Sequence, residues 1–155
     1  MDEKSQNNLE IISPVFRHGS QIPIQYTCAG QNVNPPLNFF NLPAKTQSLT
    51  LIMHDPDAPS GDYLHWLVWD IPPATESISV NSVPVGAMQG PNGKGENKYM
   101  GPCPPKGDEH NYMFDVYALD TTLDLGSSSG LQDVLKAQDG HVLAQANLSG
   151  LYGSG

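Results

Sequence analysis

Two short stretches of this chain carry residues able to do chemistry together. The first is HDPDAPSGDYLH, where Asp55 and Asp57 precede His65. The second is DEHNYM, where His110 is followed two residues later by Tyr112. Carboxylates accept hydrogen bonds, a phenol both donates and accepts, and an imidazole can change charge near neutral pH. Such a set can hold a small polar ligand or move a proton. A plain turn is the competing explanation for Asp55-Pro56-Asp57, since Asp and Pro are common turn residues. His54 and Asp55 are neighbours on an extended run and point to opposite faces. A metal site built from His54, Asp55, Asp57 and His65 is disfavoured on that ground.

The flanking sequence supplies the scaffold. Leu49–Met53 and His65–Val68 have the length and composition of buried strands. Pro56 and Pro59 stiffen the loop between them, because each fixes its own φ and restricts the residue before it. His65 is expected to share its face with Leu67 and Trp69. In HNYMFDVYAL, alternation puts His110, Tyr112, Phe114, Val116 and Ala118 on one face. The preceding GPCPPKG segment is rich in proline, so it suits a rigid cavity wall and not a phosphate-cradling loop. Cis X–Pro bonds are open there and in Asp55–Pro59. No GxSxG elbow and no HExxH motif occurs, so no catalytic residue is assigned.

Further strands are expected at Leu9–Ser13, Ile22–Thr27, Leu37–Phe40, Ile78–Val80 and Ala144–Tyr152. One helix is expected over Gly130–Gln138, with Ser129 and Gln132 at capping-box spacing and Leu131, Val134 and Leu135 as its apolar stripe. Gly86–Lys106 lacks periodicity, and irregular stretches of that length are usually functional. The fold class is therefore mainly β: an antiparallel sandwich or Greek-key-like domain with one or two short peripheral helices. Residues 1–8 read as a flexible tail and 9–155 as a single domain.

Composition narrows the function classes. The chain has 155 residues, a formal net charge of -9 and 7 Lys+Arg. Nucleic acid is not expected as a partner, since phosphate backbones need clustered cations. No run is long and apolar enough for a membrane span. The N-terminus lacks signal-peptide order, so a cytoplasmic location is expected. On those compartment grounds Cys28 and Cys103 read as thiols in preference to a disulfide. No metal and no cofactor is expected; monomer and homodimer both stay open.

DPDAP, LHWLVWDIP and GPCPPKGDEHNYMFDVYALD together resemble the phosphatidylethanolamine-binding protein family, which includes the Raf kinase inhibitor protein. The likeness is strongest to its bacterial and archaeal branch. IPIQYTCAGQNVNPPL and HVLAQANLSGLYG agree, and the resemblance runs nearly the whole length from about Leu9. It implies a large sheet packed on a smaller one, with a small anion-accepting pocket at one end. It implies that Asp55, Asp57, His65, Pro102, His110 and Tyr112 line the pocket, with Pro59 shaping its rim; Gly101 and Pro104, from the rigid GPCPPKG segment, are expected to shape it too. It implies a ligand such as phosphate or a phosphoethanolamine-like head group, and a kinase or protease as a modulated partner. Where the family often has Arg between the His and the Tyr, this chain has Asn111. Paired acids repel a bare phosphate while imidazoles and a phenol attract it, so a zwitterion suits the mixed set. Tighter anion binding near pH 6 than near pH 8 is expected. The alternative is a hydrolase or lyase using His110 or His65 as acid–base, with Asp57 as orienter.

Overall fold

The computed structural model describes residues 8–153. All of the expected tail except Asn8 lies outside them. The described chain is mainly β, with two sheets and one α-helix. The strands are β1 (Glu10–Ile12), β2 (Ser20–Gln21), β3 (Leu37–Phe40), β4 (Ser48–Asp55), β5 (Tyr63–Ile71), β6 (Ser77–Ile78), β7 (Met88–Gln89), β8 (Glu109–Leu119) and β9 (Val142–Gly153). The helix α1 spans Leu131–Gln138.

The large sheet runs β2-β9-β8-β4-β5-β7 and the small one β1-β3-β6. All pairs are antiparallel except β2 with β9. Strand β4 sits between β8 and β5 and is buried on both faces, which explains its unbroken apolar run. Leu49, Leu51 and Met53 face one way and join Ile11, Leu37, Phe39 and Ile78 of the small sheet in one core. Ile52, Leu67 and Trp69 face the other way and pack on Val134 of α1. The ends of β4, β5 and β8 are thereby held from both sides, and the site is built on those ends.

Several local expectations are corrected. Ile22–Thr27 is not a strand. Ile22 N–H still donates to the Leu151 carbonyl at 2.8 Å, but Pro23 has no N–H to continue the ladder. A 3-10 turn at Ile24–Tyr26 follows, closed by the Thr27 hydroxyl on the Ile24 carbonyl at 2.8 Å. The helix cap is Gly130, one residue beyond Ser129, and Asp133 rather than Gln132 accepts from the Gly130 N–H at 2.9 Å. Gly140, at φ +84°, takes the left-handed conformation after the helix. No cis peptide bond occurs among the described residues.

The largest correction concerns the cysteines. Cys28 and Cys103 form a disulfide, with Cα atoms 5.4 Å apart across a sequence separation of 75. The preference for thiols rested on an inferred compartment, and the folded loops overrule it. A second correction concerns His65. Pairing between β4 and β5 runs Met53 to Trp66 and then His54 to Leu64, so His65 is an extra residue in a bulge. Trp66 and Val68 belong to the inter-sheet core, while Leu64, Leu67 and Trp69 face the helix. The bulge turns His65 off the Leu67–Trp69 face and brings its ring edge-on to Tyr112, 5.3 Å between centroids.

Candidate functional site

A cavity of about 450 Å³ opens where β4, β5 and β8 begin or end. Asp55 closes β4 and is 3 % exposed. Its Oδ2 lies 2.7 Å from His110 Nδ1, and its Oδ1 accepts from the Asp57 N–H at 2.9 Å. A carboxylate only accepts, so Nδ1 of His110 carries a proton and Nε2 is left as the ring's other polar atom. Both members of the pair are buried.

His65 is held differently. Its Nδ1 donates to the Met100 carbonyl at 2.6 Å. Burial lowers its pKa below the ordinary histidine value, against the opposing pull of the Met100 carbonyl and the Asp55 charge. The ring is therefore neutral at neutral pH, and its Nε2 is an acceptor. His65 does not supply the positive charge expected of it. Tyr112 lies between the two histidines, edge-on to His65 and stacked with His110 at 6.2 Å. Burial, reinforced by the Asp55 charge, raises its pKa, so it stays a phenol. The Cys103 backbone lies against its hydroxyl and opposes that rise.

Asp55, His65, His110 and Tyr112 thus meet in one cavity, with Pro59, Gly101 and Pro104 in its wall. Asp57 and Pro102 stand beside the cavity and do not line it. Asp57 accepts from the Asn111 N–H at 2.9 Å, which fastens the β4–β5 loop to the start of β8. The Pro102 carbonyl accepts from the Cys28 N–H at 3.1 Å. Gly101 must be glycine for a steric reason: a Cβ there would strike the Tyr26 carbonyl oxygen. Tyr63, Lys94, Asn32 and Met100 also line the cavity and were not singled out from sequence. The signal for Lys94 and Met100 was the long glycine-rich stretch that contains them. Tyr63 gave none, since an aromatic residue opening a strand is ordinary.

His54 serves the opposite face of the sheet. Its Nδ1 donates to Asp62 and its Nε2 to Asp115, each at 2.7 Å. The Asp115 hydrogen bond, opposed by burial and aided by Asp62, pushes its pKa up to about 9. The imidazolium ties down the far end of the loop that carries Pro59. A raised folded pKa gives stability that is complete below about pH 6.5 and is lost as pH rises through about 9. Asp62 is 60 % exposed, so solvent screens part of this, leaving on the order of 1 kcal/mol. Melting temperatures of wild type and His54→Gln should differ at pH 6 and converge by about pH 10. A difference independent of pH would refute the charged clamp.

A mainly β chain of two sheets, with a buried Asp–His pair in a cavity at the strand ends, defines the class of protein. The model of the family described as "Phosphatidylethanolamine-binding protein" matches residues 12–153, and the chain belongs to that family. It is 46 % identical over 145 residues to a UPF0098 protein of Methanothermobacter thermautotrophicus, covering 90 % of this chain and 95 % of that one. A UPF0098 protein of Chlamydia muridarum is 37 % identical, with 93 % and 98 % covered. Two crystal structures superpose closely. The phosphatidylethanolamine-binding protein homologue CT736 of Chlamydia trachomatis gives a TM-score of 0.92 at 36 % identity, covering 96 % of this chain and 99 % of that one. YbcL of E. coli, described as a member of the mammalian family, gives 0.88 at 30 % identity, covering 95 % and 99 %.

Proposed function

We propose that this protein binds a small phosphorylated molecule, such as phosphate or a phosphoethanolamine-like head group, in the cavity at the ends of β4, β5 and β8. The observation that carries this reading is the buried Asp55–His110 pair beside a neutral His65. Asp55 Oδ2 is taken up by His110 Nδ1 at 2.7 Å and its Oδ1 by the Asp57 N–H at 2.9 Å, so neither carboxylate oxygen is left unpaired to face an anion. His110 and the Tyr112 hydroxyl then donate to its oxygens, and His65 Nε2 accepts from a ligand O–H or ammonium. A ligand with both an anionic group and a donor fits this set better than a bare dianion. The core shared by the two sheets supports the sandwich reading of the fold. A modulated kinase or protease is the partner reading that goes with the family resemblance.

Calorimetric titration of phosphate and phosphoethanolamine into wild type and His110→Ala tests the pocket. Wild type should bind at least about tenfold tighter, the scale of one charge-assisted hydrogen bond. Affinity should be higher at pH 6 than at pH 8, because an anion favours the protonated form of an imidazole it touches. Equal weak binding by both proteins would end the proposal.

One observation favours acid–base chemistry as a second reading. Asp55, not Asp57, holds His110 Nδ1, which leaves Nε2 as the candidate proton carrier. Turnover of a phosphomonoester by wild type and not by His110→Ala would support it. No turnover across phosphoesters and peptides would leave binding alone.

A further inference from the structure

The disulfide stands at the edge of the cavity and outside every strand. Cys28 and Cys103 are both exposed, and both line the cavity. They join the loop after the 3-10 turn to the proline-rich wall. Three hydrogen bonds already tie these two segments. The Tyr99 hydroxyl donates to the Tyr26 carbonyl at 2.7 Å, Gly101 N–H to Asn32 Oδ1 at 2.8 Å, and Cys28 N–H to the Pro102 carbonyl at 3.1 Å. The covalent bond carries the tie onward to Cys103. That residue lines the same cavity as Tyr112, with its backbone against the Tyr112 hydroxyl, so a shift of the wall reaches the cavity floor directly.

From this geometry we infer that Cys28–Cys103 is a site of thiol–disulfide exchange with a dithiol reductant, and that exchange loosens the cavity wall and weakens ligand binding. This rests on the cavity being the binding site. A thiolate of the reductant attacks one Sγ; the S–S bond breaks and the other cysteine leaves as a thiolate, which takes up a proton. The second thiolate of the reductant attacks the mixed disulfide, and the remaining cysteine leaves and is protonated. Two electrons pass to the protein, and the reductant departs as a disulfide. Both cysteines are exposed residues on the cavity edge and lie outside the strands, so a thiolate can approach them without unfolding the sheets. The pairings of β4, β5, β8 and β9 involve neither cysteine.

The test compares oxidised protein with protein reduced by dithiothreitol, under native conditions, with mass spectrometry to count thiols. Two readouts are taken. Amide hydrogen exchange at Cys103 reports the wall without any ligand. Titration with inorganic phosphate reports binding. Reduction should speed exchange at Cys103, leave exchange in β8 and β9 slow, and weaken phosphate binding by at least about fivefold, within the range of ordinary coupling between sites. The double variant Cys28→Ser/Cys103→Ser should match the reduced protein and ignore dithiothreitol. If that variant fails to fold, reduced wild type below its melting temperature serves alone. Unchanged phosphate affinity after full reduction, or a bond that dithiothreitol leaves intact without denaturant, overturns the inference. Phosphate binding by neither form removes the binding reading itself; in that case unchanged Cys103 exchange overturns the wall's redox response, and faster exchange upholds it.

Discussion

Asp55→Ala should melt roughly 6–12 °C below wild type and should no longer bind phosphate or phosphoethanolamine measurably. The carboxylate is 3 % exposed and makes two contacts at once, to His110 and to the Asp57 N–H. Removing it leaves a buried imidazole N–H without an acceptor and frees the first turn of the β4–β5 loop. An unsatisfied buried group costs about 1–3 kcal/mol, and the β4–β5 loop loses its anchor at the same time. About 3 kcal/mol is the expected loss, which for a chain of this size gives the stated shift. Asp55→Asn separates structure from chemistry. It keeps the shape and one acceptor, but its amide donates toward His110 Nδ1 and drives the ring proton to Nε2. Asparagine should therefore restore much of the melting temperature while binding stays weak. Thermal melts and phosphate titration on the three proteins decide the matter. Asp55→Ala melting within about 2 °C of wild type would show that the pair carries little of the fold.

The features legible in the sequence are those fixed by local pattern. β4, β8, β9 and α1 follow from apolar runs and alternation, because burial on a sheet face or a helix stripe needs only neighbouring residues. The convergence of Asp55 with His110 was reached through the likeness of whole motifs, since 55 residues separate the two. What escaped depends on partners far away in sequence. His65 changes face because β4 and β5 pair with a bulge, which alternation along β5 alone cannot show. Its neutrality follows from burial, which outweighs the opposing pull of the Met100 carbonyl, and the long loop brings that carbonyl to the ring. Asp57 reads from its residue type as a ligand-facing acid, yet it is bonded to a backbone N–H at Asn111, a group common to every residue but proline. Ile22–Thr27 alternates like a strand, but Pro23 ends the ladder. That misreading was avoidable from the sequence alone.

Reduction of the disulfide should lower the melting temperature by roughly 8–16 °C, the largest stability change expected from any single bond here. The bond closes a loop across a separation of 75 residues. In the chain-entropy picture, a loop of that length restricts the unfolded ensemble enough to contribute about 4 kcal/mol. The contribution acts through the unfolded chain, so it requires no distortion of the sheets. Reduced protein should accordingly keep its β-sheet circular dichroism at low temperature and unfold cooperatively at the lower midpoint. Melts with and without dithiothreitol measure the shift, and Cys28→Ser/Cys103→Ser should reproduce it. A shift under about 2 °C would mean that residual structure already restricts the unfolded chain without the bond, or that reduction relieves strain of equal size.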